Sequence, residues 1–161
     1  ADGSDDPMQI NDLSRLIERG VVVAAASRYM RTGQQVGGPV FKSLLSSFAC
    51  RSLYWFGRVG THDATNSFKA YNTDFIQAAN IESDQGFEIG IELVAKARRA
   101  RLPVAEVPTI WLDRAFGVSN FKIWKWIPAY LKWYVYSFGF KKPLDGYIYK
   151  PVSITNEGNN D

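Results

Sequence analysis

The chain has 161 residues, 46% of them hydrophobic and 14% aromatic, with a formal charge of +3 and one cysteine. That is enough for one domain with a sizeable core, and the charge is too mild to argue for nucleic acid by itself. The lone Cys50 excludes an internal disulfide and reads as a buried thiol in a reducing compartment.

The predicted elements alternate. Met8–Arg19 reads as a helix, with Ile10, Leu13, Leu16 and Ile17 on one face and Gly20 as its stop. Val21–Ala26 is a short apolar run, expected as a strand buried on both faces. Arg31–Pro39 is polar and Gly-rich, a loop. Phe41–Arg58 is helical, Gly60–Ser67 a polar loop, Phe68–Tyr71 a short strand and Asp74–Asn80 a short helix. Gly86–Arg101 is a long helix. Val104–Trp111 is a strand carrying Pro108, hence expected near a sheet edge. Asp113–Asn120 is a loop, and Phe121–Phe138 is helical with an interruption at Pro128. The Asn-rich tail after Lys150 is expected to be disordered. The alternation gives an α/β fold with a mixed sheet.

Several segments carry candidate chemistry. The opening Asp2-Gly3-Ser4-Asp5-Asp6-Pro7 packs three carboxylates into five residues, hard oxygen ligands suited to Mg²⁺ or Mn²⁺. The plainer reading is a helix cap at Asp6 with Pro7 at the first helical position. Such loops normally follow a strand, so this chain is expected to be the carboxyl-terminal part of a larger domain. Arg28, in Ser27-Arg28-Tyr29, follows the first strand, where ligands gather in α/β sheets and where a guanidinium fork suits phosphate. Lys42 and Ser46 lie four apart on one helix face, as an anion clamp would require. The run Thr61-His62-Asp63-Ala64-Thr65-Asn66-Ser67 offers hydrogen bonds to a polyhydroxylated ligand. Asp84 and Glu88 sit near a helix amino terminus, placed to accept a proton. Glu92 and Lys96, one turn apart, read as a salt-bridged solvent face. Arg114, Ser119 and Lys122 bracket a Gly-containing loop able to close over a diphosphate. Neither a hydrolase triad nor a zinc-ligand spacing is present.

In order, ADGSDDP, SRY, GGPVFKSLLS, THDATNSFKAY, DQGFEIGIEL and EVPTIWLDRAFGVSNFK resemble the family 2 glycosyltransferases of the GT-A fold. The branch is the one that includes the dolichol-phosphate and polyprenol-phosphate mannosyltransferases. The resemblance spans about residues 1–136 and rests on six segments in sequence. It implies the carboxyl-terminal part of a Rossmann-like GT-A domain, without the strands that bind the nucleotide. It implies transfer from a nucleotide-sugar to a lipid phosphate, metal dependent and inverting, by a chain inactive alone. In that reading Asp2 and Asp5 hold the metal, with Asp2, Asp84, Glu88 and Arg114 catalytic. Arg28, Lys42 and Ser46 take the acceptor phosphate, Asp63 and Asn66 the sugar, and Arg114, Ser119 and Lys122 the donor diphosphate. A saccharide hydroxyl acceptor would instead need Asp84 or Glu88 as base.

Residues 1–120 are then the catalytic part, 121–149 an interfacial helical segment and 150–161 a tail. Phe121–Phe138 interleaves Trp124, Trp126, Tyr130, Trp133, Tyr134 and Tyr136 with Lys122, Lys125 and Lys132, the residue types of a membrane interface. No apolar run approaches the ~20 residues of a membrane span, so peripheral attachment at a cytoplasmic membrane face is expected. The competing class is a non-catalytic basic and aromatic module for anionic lipid or nucleic acid, using Arg98, Arg99 and Arg101. The acidic opening turn argues against nucleic acid as partner.

Overall fold

The computed structural model describes residues 4–84, 86–113 and 123–152, the side chains of the last stretch from residue 126 onward. Asp2, Arg114, Ser119 and Lys122 lie outside the described residues, as does the tail from residue 153.

The elements run α1 (Gln9–Glu18), β1 (Val23–Ser27), β2 (Gln34–Val36), α2 (Val40–Ser52) with a π-helical turn at Leu53–Gly57, β3 (Lys69–Tyr71) and α3 (Thr73–Ala78). Then follow α4 (Ile89–Ala100), β4 (Val104–Pro108), β5 (Ile110–Leu112) and α5 (Ile123–Ser137). The fold is α/β with a mixed sheet flanked by helices. The main sheet has the order β3-β1-β4. β1 is antiparallel to β3, with Ala24 opposite Ala70, and parallel to β4, with Ala25 opposite Glu106. β2 and β5 form a separate parallel pair.

All five β1 residues are buried, so both faces of the central strand are covered, as its unbroken apolar run requires. α1 packs across the three strands of the main sheet, α4 packs on β1 and β4, and α5 lies against α4. The core joins Val22, Val23, Leu53, Phe75, Leu93 and Val94 to Trp133 of α5. The segment read as one strand over Val104–Trp111 is divided. Pro108 ends edge strand β4, and buried Thr109 passes the chain to the second sheet. The Thr109 N–H donates to the Ser27 carbonyl at 3.0 Å and its own carbonyl accepts from Gln34 at 2.9 Å. β2 itself falls within the expected loop.

Three expectations are corrected. Glu92 and Lys96 are not a solvent face; they are 0% and 4% exposed and paired at 2.6 Å. Glu92 accepts from the backbone N–H groups of Glu82 and Ser83, and Lys96 donates to the carbonyls of Ala79 and Asn80. The pair clips the 79–83 connection to α4, which is why charge is retained inside. Pro128 does not interrupt α5, which runs through it. In the same helix Trp133, expected at headgroup depth, is 1% exposed and belongs to the core.

Candidate functional site

The site is built at the carboxyl end of β1. Ser27 is buried there, and its Oγ accepts from the Met30 N–H at 3.2 Å, turning the chain back on the strand. Gly33 completes the turn: a Cβ on it would lie 2.4 Å from the Ser27 carbonyl oxygen, so only glycine permits this approach. The turn presents Arg28 to Asp63 of the loop before β3. Asp63 is fully buried and takes Arg28 as a fork, Nε to Oδ2 at 2.7 Å and Nη2 to Oδ1 at 2.9 Å. The Arg28 backbone N–H adds a third bond to the same carboxylate at 3.1 Å. Burial works against the guanidinium charge, but the Asp63 hydrogen bonds and charge outweigh it and raise its pKa.

Thr65 extends the network. Its Oγ1 lies 3.4 Å from Arg28 Nη2 and 3.0 Å from Ser46 Oγ on α2. Buried Cys50, one turn beyond Ser46, places its sulfur 3.4 Å from the same oxygen. Tyr29 stacks its ring under the Arg28 guanidinium at 4.8 Å and donates to Gln35, which donates to Ser43 of α2. A groove of about 310 Å³ opens here, lined by Tyr29, Gln35, Gly38, Val40, Ser43 and Leu44. A larger cavity of about 620 Å³ lies between α1, α3 and the 146–152 segment and contains none of these groups.

Arg28 and Ser46, expected together on an acceptor phosphate, are therefore joined, with Lys42 one turn before Ser46 and half-buried. Asp63 and Asn66, expected on a sugar, fall inside the same network. Both Asp63 oxygens are engaged, and Asn66 spans from the Ala26 carbonyl to the Phe68 N–H. Those contacts hold Arg28 and the loop in place. Glu88 is buried at the start of α4, whereas Asp84 is exposed. Burial first, then the charges of Glu88 and Cys50, push the Tyr130 hydroxyl up to about 12, with Arg28 pulling the other way.

Thr65 and Tyr29 stood in the segments singled out from the sequence but without a role of their own, and Lys69 and Glu106 were passed over. The Lys69 ammonium donates to the carbonyls of Ala64 and Asn66, and burial lowers its pKa to about 8 against the pull of Asp63. Asp5 adds to that pull on Lys69, and the Ser4 carbonyl beside it accepts from the Leu112 N–H of β5 at 3.0 Å. Glu106 of β4 ties down the loop before Asp63, accepting from Thr61 Oγ1 at 3.0 Å, the His62 N–H at 2.7 Å and the His62 ring at 2.5 Å. His62 also stacks on Tyr54, centroids 3.5 Å apart. The only readable signal for Glu106 was a carboxylate in an otherwise apolar strand.

Among the described residues no three His, Cys, Asp or Glu side chains gather as a metal site. Asp6 accepts from the Met8 N–H at 2.9 Å and so closes the turn that leads into α1, but the helix starts after Met8 without a side-chain cap, so the expected cap at Asp6 is not formed. Asp5, the described member of the pair expected to hold the metal, is half-buried.

No family model matches the chain. The polyprenol monophosphomannose synthase of Mycolicibacterium smegmatis is 29% identical over 122 residues, covering 74% of this chain and 46% of that protein. The undecaprenyl-phosphate mannosyltransferase of Micrococcus luteus is 30% identical over 126 residues, covering 74% and 50%. The chain is a relative of lipid-phosphate mannose enzymes. The resemblance carried by the six motifs is thereby shown, and the chain spans about half the length of the curated relatives it matches.

Proposed function

We propose that these residues form the acceptor side of a glycosyltransferase that moves a hexose, mannose by its relatives, from a nucleotide-sugar to a polyprenyl or dolichyl phosphate. The observation that carries the reading is the Arg28–Asp63 pair at the carboxyl end of β1. Asp63 fixes the guanidinium through Nε and Nη2, leaving the Nη1 edge for a ligand oxygen. A fork held in one orientation loses little freedom when a phosphate arrives. Ser46 and Lys42, on the helix beside it, supply a hydroxyl and a second cation.

A phosphate monoester oxygen is ionised near neutral pH, so it attacks the anomeric carbon without a general base. Attack opposite the departing nucleoside diphosphate inverts that centre. Asp2 and Asp5 would hold Mg²⁺ or Mn²⁺, which supplies positive charge to the leaving diphosphate. Arg114, Ser119 and Lys122 would close over the same group. Were the acceptor a saccharide hydroxyl, Glu88 would act as its base, with Asp84 the exposed alternative. The reaction belongs at the cytoplasmic face of a membrane.

The test is sugar transfer from GDP- and UDP-hexoses to polyprenyl phosphate, using the longest product of the gene that contains these residues. Arg28→Lys and Ser46→Ala should raise the acceptor KM at least about tenfold and leave the donor KM nearly unchanged. An effect confined to the donor KM would mean that the two subsites are exchanged. Transfer to a free saccharide that Glu88→Gln abolishes would favour the hydroxyl acceptor.

A further inference from the structure

Helix α2 is built inside out. Phe41, Leu44, Leu45 and Phe48 recur at the spacing of one helical face. In a surface helix that stripe packs on the core; here it faces outward. Phe41, Leu44 and Phe48 are 64–74% exposed, and Cys50 is the one buried residue of α2. The inward face is made of Ser43, Ser46 and Cys50, which bond Gln35 and Thr65. The π-helical turn continues the outward stripe with Trp55 and Phe56, 69% and 77% exposed. An apolar surface of this extent on a polar-backed helix calls for a cover.

The charges say which cover. Between Glu18 and Asp63 there is no acidic residue, whereas Arg31, Lys42, Arg51 and Arg58 fall in that stretch, and Arg31, Arg51 and Arg58 are exposed. Two such faces would repel each other, which disfavours a second copy as occupant. An anionic bilayer supplies both an acyl boundary for Phe48 and Phe56 and headgroup phosphates for the cations. No helix among the described residues is long and apolar enough to cross a membrane. We propose that the outward face of α2 and its π-turn, rather than α5, docks this protein on an anionic lipid surface. The groove lined by Tyr29, Val40 and Leu44 adjoins that surface, and its Tyr29 wall carries the Arg28 guanidinium over its ring. This deepens the acceptor reading above, but its test contains no polyprenyl phosphate, so each stands or falls separately.

The experiment is co-sedimentation of the chain with vesicles of phosphatidylcholine and phosphatidylglycerol. Wild type should pellet with anionic vesicles, less so in high salt but still detectably, because apolar burial is not screened. Leu44→Gln with Phe48→Gln, or Trp55→Ala with Phe56→Ser, should cut partitioning at least about tenfold with an unchanged melt, since these side chains lie outside the core. Should a double variant fold poorly, wild-type tryptophan fluorescence should be quenched by brominated lipid, and Trp55→Phe should remove most of that quenching. Wild type that stays in the supernatant, or apolar variants that bind as wild type does, would overturn the proposal. Variants that only convert an oligomer to a monomer would assign this face to a second copy instead.

Discussion

At the scale of single residues, one ion pair organises the candidate site. A fully buried carboxylate is costly unless its oxygens are satisfied, and Asp63 is satisfied by Arg28 through both side-chain and backbone donors. The Asn66 N–H adds another bond at 3.1 Å. Asp63→Asn keeps the shape and removes the charge, leaving a guanidinium only 13% exposed without its counter-ion. Breaking one side of such a pair costs on the order of 3 kcal/mol. Urea unfolding at neutral pH should show that loss, and the same variant should raise the acceptor KM because Arg28 is no longer held. A loss of stability below about 1 kcal/mol would mean that water already screens the pair.

At the scale of elements, the turn between β1 and β2 decides where Arg28 points. Gly33 passes so close to the Ser27 and Arg28 backbone that a methyl group must displace the turn, since carbonyl groups cannot rotate away as a side chain can. Gly33→Ala should therefore destabilise by about 1–3 kcal/mol, lowering Tm by roughly 5 °C in calorimetry. An unchanged Tm would show that the turn relaxes freely. The same turn illustrates what the chain's pattern reveals. β1 was legible because a continuous apolar run has few other fates. β2 was not, since Gln34-Gln35-Val36 has no periodicity and its partner Ile110-Trp111-Leu112 is 76 residues away. Arg28 and Asp63 could each be singled out by residue type. That they meet, and merge the two expected subsites into one network, depends on β1 pairing with β3, a long-range event with no local sign. The aromatic residues of α5 were legible as a class but not by face. Composition cannot say that Trp133 points into the core while Phe48, on a helix read as ordinary, points out.

At the scale of the whole molecule, the three-stranded sheet is small, and the site is held by side chains from its strands, a loop and the back of α2. Whether that assembly opens alone or only with the entire fold can be read from a single atom. Cys50 is the chain's one cysteine, enclosed between Asp63 and Thr65. Burial first, then the Asp63 charge, pushes its thiol pKa up, so little thiolate forms while the pocket is shut. It is in effect an internal clock. Alkylation by iodoacetamide must wait for a gap, and its rate relative to denatured chain reports the population of open molecules. In native buffer the reaction should be slower than in concentrated urea by about a thousandfold or more. Added phosphate seated at Arg28 should slow it again, whereas plain vesicles, which meet only the opposite side of α2, should not. Labelling at the denatured rate would show that the enclosure around the ion pair does not persist in solution.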